Sequence, residues 1–155
     1  MPKPHTAALF SGNYRIQEAR AAAALPAAGV FDATPAELYC PELDFVTLYI
    51  TYTRGAVGGA VTFRLEVSPR TNDDAVLENW YQAAILSGGA VALGADTTSS
   101  TQREEVEYGA TAAAAETFVY GPVELRSTVE RIRIPCAESG VLGNPGDCHI
   151  TAVFS

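Results

Sequence analysis

From Asp44 onward the chain alternates in character, with Phe45, Thr47, Tyr49, Thr51 and Thr53 on one side of an extended backbone and Val46, Leu48, Ile50 and Tyr52 on the other. Aromatic and β-branched residues on both sides predict a long strand in the interior of a sheet. Gly55, Gly58 and Gly59 then punctuate the chain. Beyond them Val61, Phe63, Leu65 and Val67 alternate with Thr62, Arg64, Glu66 and Ser68, which predicts a second strand with one core face and one wet face, joined to the first as a hairpin.

Ser68 to Asp74, with proline, asparagine and two aspartates, reads as a loop, and Leu77, Trp80, Tyr81, Ile85 and Leu86 predict a third strand in which Trp80 is a core anchor. Gly88, Gly89 and Gly94 loosen the chain after that strand, and 95–101 reads as a surface loop. Strands are predicted over 102–108 and 116–125, the latter interrupted at Gly121-Pro122 and so confined to an edge or a bulge. In the strand predicted at 128–134, Glu130, Ile132 and Ile134 oppose Val129, Arg131 and Arg133, and Pro135 ends it. After a turn-rich stretch from Gly140 to Gly146, Cys148, Ile150, Ala152 and Phe154 alternate with His149, Thr151 and Val153 in a closing strand that ties the C-terminus into a sheet. Seven or eight strands with no helices between them predict a single all-β domain: a β-sandwich, jelly roll or small barrel.

Residues 1–35 differ. They hold Ala-rich stretches and Pro2, Pro4, Pro26 and Pro35 without period-two alternation, and read as an N-terminal arm before a β-domain over 36–155. Good helix formers predict a short helix over 15–24, whose mostly alanine face would bury little area. Phe10, Tyr14, Ile16, Leu25 and Phe31 are the arm's candidate anchors, either on a partner or back on their own domain.

Composition narrows the function. Apolar residues are 48% of the chain and charged ones 18%, enough for one buried core. A formal charge of −8, with Lys3 the single lysine, argues against nucleic acid as a partner, and the densest basic cluster (Arg126, Arg131, Arg133) is interleaved with Glu124 and Glu130. No apolar run is long enough to span a bilayer, and Pro26 and Glu18 argue against a signal peptide around 21–30. An odd count of cysteines, Cys40, Cys136 and Cys148, suits a reducing compartment. A Cys136–Cys148 disulfide at the feet of two strands stays open beside the commoner outcome of buried thiols.

Candidate chemistry is sparse. His5 and His149 are the only histidines, too few for a two-histidine metal site outside the arm or a buried catalytic triad. Asp147, Cys148 and His149 are consecutive in a strand and point to alternate faces, so they do not share one ion. The Gly55–Gly59 stretch lacks the lysine and following helix of a phosphate loop, no serine sits in a nucleophile elbow, and the pairs Asp73-Asp74 and Glu104-Glu105 read as loop solubility. The expectation is a protein that is not an enzyme and takes no cofactor and no metal.

The layout of arm, acidic β-domain and closing strand resembles the small capsid decoration (cement) proteins of tailed bacteriophages, with the single lysine and abundant Ala, Arg and Glu pointing toward those of thermophilic siphoviruses. It covers the arm, the β-region from Tyr39-Cys40-Pro41 to Arg131-Ile132-Arg133-Ile134-Pro135 and the closing Pro145-Gly146-Asp147-Cys148-His149-Ile150, and rests on layout rather than a signature motif. The resemblance implies a structural virion protein made in the host cytoplasm. It would be a homotrimer on the capsid exterior whose arms bridge major capsid protein subunits, without nucleic-acid or membrane partners. Two other readings stand beside it: a tail, neck or fibre component, and a carbohydrate-binding module with Trp80, Tyr81 and Tyr49 as a stacking platform.

Overall fold

The computed structural model describes residues 15–69, 80–82, 105–125 and 129–155. The clearest alternation becomes an interior strand of a sheet: the strand at Phe45–Thr53 buries Val46, Leu48, Ile50 and Tyr52 to 1% exposure or less and turns its other face outward. Numbered in chain order, the strands are β1 (Arg15–Ala24), β2 (Leu38–Tyr39), β3 (Phe45–Thr53), β4 (Ala60–Phe63), β5 (Glu66–Pro69), β6 (Tyr81–Gln82), β7 (Val106–Gly109), β8 (Glu116–Glu124), β9 (Val129–Arg133), β10 (Cys136–Glu138) and β11 (Asp147–Phe154), with a single 3-10 turn at Ala27–Gly29 among the described residues.

All pairings among the described residues are antiparallel. One sheet has the order β1-β11-β3-β8, and two smaller ones have the orders β2-β9-β5-β6 and β10-β4-β7. The smaller sheets are halves of one bent layer, because β4 runs into β5 and β9 into β10 across two residues each, and Arg64 N donates to Pro135 O where they bend. Val46, Leu48, Ile50, Ile150, Ala152 and Phe154 from the flat sheet join Val61, Phe63, Leu65, Ile132 and Ile134 from the bent layer in one core. Phe63 meets Tyr120 edge-on at 5.4 Å, and Tyr108 stacks on Phe118 at 4.5 Å, which joins the layers at the β7/β8 end. The result is an all-β, sandwich-like domain without a closed barrel.

Several expectations are corrected. β3 and β4 do not form a hairpin: β3 pairs with β11 and β8, β4 with β10 and β7, and the Gly55–Gly59 stretch crosses between layers. The second strand does not keep one wet face. Ala60 to Phe63 are all buried, and after the bend Glu66 and Ser68 face inward while Val67 is half-buried. As expected, the strand predicted at 128–134 ends before Pro135, at Arg133, and after the bend the chain pairs again as a separate strand, β10. Trp80 is half-buried and lies under the Arg133 guanidinium at 4.5 Å, outside the core.

The helix expected over 15–24 is strand β1, paired along β11 from Arg15↔Phe154 to Ala24↔Asp147. Helix propensity yields here to the row of unpaired backbone groups that β11 presents. The register shifts twice, around Arg20, and the Arg20 guanidinium donates to Ala23 O (2.8 Å), Ala24 O (2.9 Å) and Cys148 O (2.6 Å), satisfying carbonyls at the disrupted ladder. The Gly121-Pro122 interruption lies, as expected, on an edge strand with a shifted register opposite Val46 and Leu48. There Gly121 has φ +117 and a Cβ would meet Val46 O at 2.8 Å, so only glycine fits.

Candidate functional site

Period-two alternation in β3, β8 and β11 sends one set of side chains into the core and the other onto the outer face of the flat sheet. Register places Ile16 beside Val153, which faces Thr47; one step on, Glu18, Thr151, Tyr49 and Val119 form a row across all four strands. Beyond it His149, Thr51 and Thr117 form another, with the Thr51 and Thr117 hydroxyls 3.1 Å apart. Ile16 is 59% exposed, Val119 55%, and Phe45 and Tyr49 42% each. Charge on this face is confined to its margins: Glu18 meets His149 Nε2 at 3.2 Å, and Glu124 and Asp147 lie at opposite ends. The face is aromatic, aliphatic and threonine-rich in an otherwise acidic chain.

A second polar cluster sits on the bent layer. Arg133 and Arg64 both reach Glu66, Arg131 reaches Glu37 at 3.1 Å, and the Arg131 and Arg133 guanidinium groups lie over Trp80. The arginines are matched by carboxylates within the fold, in keeping with the weak basic signal of the sequence. Phe31 lies under Arg64 at 4.3 Å.

Glu138 is the group that sequence reasoning missed. It is fully buried, and its carboxylate accepts from Tyr52 Oη (2.8 Å), Ala60 N (2.9 Å), Gly146 N (2.9 Å), Gly140 N (3.2 Å) and Val141 N (3.3 Å). Burial pushes this carboxyl up, but the Gly146 and Ala60 amides and the Tyr52 hydroxyl outweigh it and hold Glu138 below the usual carboxylate range. Burial and the same bond push the Tyr52 hydroxyl far above its ordinary value. A buried carboxylate against a tyrosine has the outline of an acid–base pair, yet both of its oxygens are occupied by donors of the fold. It ties β3, β4 and β10 to the loop before β11. Its signal in the sequence is faint: Glu138 stands between the strand predicted to end at Pro135 and the turn-rich stretch from Gly140, where no element is predicted.

A hollow of about 250 Å³ is lined by Ala19, Arg20, Asp32, Pro35 and Ile134 among others. Its charges face each other, Arg20 Nε lying 3.1 Å from Asp32 Oδ2. Among the described residues no group of three or more His, Cys, Asp and Glu side chains is placed to hold a metal ion. Nor is any helix there long and apolar enough to cross a membrane.

Of the candidate arm anchors, Ile16 is on the outer face, Leu25 is buried at 2%, Phe31 packs under Arg64, and Phe10 and Tyr14 lie outside the described residues. Cys136 and Cys148 are both buried free thiols, as is Cys40, whose pKa burial raises to about 11. His149 and Asp147 face outward and Cys148 inward, as alternation requires. The proposed sugar platform does not assemble, because Tyr49 is in the flat sheet and Tyr81 in the bent layer. His5, Asp73, Asp74, Glu104 and Arg126 lie outside the described residues. Neither a protein-family model nor a curated protein nor a solved structure matches the chain.

Proposed function

We propose that this chain is a structural binding domain that docks on a larger protein assembly through the outer face of the β1-β11-β3-β8 sheet. The observation that carries the reading is the exposed set Ile16, Phe45, Tyr49 and Val119 on one sheet face whose charges stand at its margins. Grouped apolar exposure marks contact surfaces, and the centres of such surfaces are enriched in aromatic side chains and depleted of charge. In a chain of net charge −8, this is also where a partner meets the least repulsion.

The specific role we propose is capsid decoration, the role implied by the resemblance in layout: a homotrimer on the outside of an icosahedral phage head that bridges major capsid protein subunits. Many weak, identical contacts then act together on one shell, and avidity supplies what a single contact lacks. Light scattering on size-exclusion eluate, with co-sedimentation against empty phage heads, tests it. A trimer that sediments with the heads supports the role; a monomer that stays in the supernatant and is retained on a glycan column overturns it in favour of sugar binding.

A further inference from the structure

We propose that Cys136 and Cys148 form a redox site, a disulfide that staples the two layers together when a small-molecule disulfide oxidises the pair. Cys136 is on β10 of the bent layer and Cys148 on β11 of the flat sheet, with exposures of 0% and 1%. Two independent ties bring them face to face. Cys148 is the cross-strand partner of Tyr52, whose hydroxyl donates to Glu138 at 2.8 Å, and Glu138 stands two residues beyond Cys136 on the same side of β10. On the other flank, Cys136 N donates to Asp32 Oδ2 (3.1 Å) and Asp32 N to Cys136 O (2.9 Å), while Arg20, paired with Asp32, donates to Cys148 O (2.6 Å). The neighbouring Cys148 side chain, together with burial, pushes the Cys136 thiol well above the ordinary thiol range. Enclosed in this way, the pair is inert in the closed fold and reacts when β10 opens or while the chain folds.

The chemistry is thiol–disulfide exchange. One deprotonated cysteine attacks oxidised glutathione, forming a mixed disulfide and releasing one glutathione thiolate. The second cysteine then attacks its neighbour's sulfur and releases the other glutathione. The pair loses two electrons and two protons, and the glutathione disulfide is reduced to two thiols. Cys40 takes no part: it follows β2, and its amide is tied to Glu130 O on the β9 side. The odd cysteine count thus resolves into one pair and one solitary buried thiol.

The test refolds the full chain in a mixture of oxidised and reduced glutathione, alkylates free thiols and digests with trypsin. No lysine or arginine follows Arg133, so one fragment from Ile134 to Ser155 holds both cysteines. The expected product shows that fragment lighter by two hydrogens and unalkylated, Cys40 alkylated, and a thermal midpoint several degrees above that of the reduced chain, since a cross-link restricts the unfolded ensemble. Cys40→Ser should keep the staple. Cys136→Ser and Cys148→Ala should each lose it together with the rise in midpoint; either suffices if the other does not fold. Three alkylated thiols, glutathione adducts on the pair, linkage to Cys40, or a midpoint that falls on oxidation would each overturn the proposal.

Discussion

Glu138 carries a large stake in the fold, because a buried carboxylate with five donors leaves all of them stranded if it goes. Glu138→Ala is expected to cost about 3–5 kcal/mol, read from denaturant unfolding; a loss below about 1 kcal/mol would show the donors finding other partners. The carboxyl is held below its ordinary value in the fold, so the unfolded chain binds the proton first as pH falls. Its contribution is fully present above the usual glutamate range and disappears as pH drops through the lower folded value. Glu138→Gln should therefore have a thermal midpoint less sensitive to acid below about pH 4.5 than the parent chain. Equal acid slopes would place the acid sensitivity elsewhere. None of this is legible in the sequence, because a lone glutamate just ahead of a Gly/Pro-rich stretch is the ordinary signature of a wet turn and two of its donors, Tyr52 and Ala60, come from strands far away along the chain.

Alternation makes some elements readable and hides others. β3 and β11 can be read because each keeps one face buried over eight or nine residues, but their mutual pairing, with Ile50 against Ile150, is non-local and leaves no local mark. The bend at Arg64-Leu65 reverses the phase of the strand, so Glu66 and Ser68 face inward where simple alternation puts them in water. β1 escapes sequence reading for a different reason: Ala, Arg, Gln and Glu favour a helix in isolation, and what overrides them is the open edge of β11. Removal of residues 1–28 deletes β1 with the buried Ala19 and Leu25, the latter alone worth about 2 kcal/mol, and is expected to destroy cooperative unfolding. A truncated chain with an unchanged melting curve would contradict the pairing. Arg20→Ala should cost about 2–3 kcal/mol, through freed carbonyls at the bulges and an uncompensated Asp32, and urea unfolding would show it. At the crossing of the two loops, a Cβ on Gly140 would collide with the backbone of Gly58 and Ala60, so Gly140→Ala should lower the melting midpoint where Gly143→Ala, with open space around it, does not.

At the scale of the molecule, the all-β class is legible from strand count and the absence of alternating helices, whereas the docking face is only half legible. The threonines of β3 mark one side as polar, but the apolar residues on both sides suggest cover that the described residues do not provide over Phe45 and Tyr49. On the proposed reading this face, and not the bent layer, meets the partner. The direct measurement is co-sedimentation of the full chain with empty phage heads for Tyr49→Asp and Tyr81→Asp, two exposed tyrosines on different layers, each checked for an unchanged melting midpoint. Docking through the flat sheet should give at least a tenfold loss of binding, about 1.4 kcal/mol, for Tyr49→Asp and none for Tyr81→Asp. Equal binding by both variants and the parent chain, or a loss only with Tyr81→Asp, would contradict it.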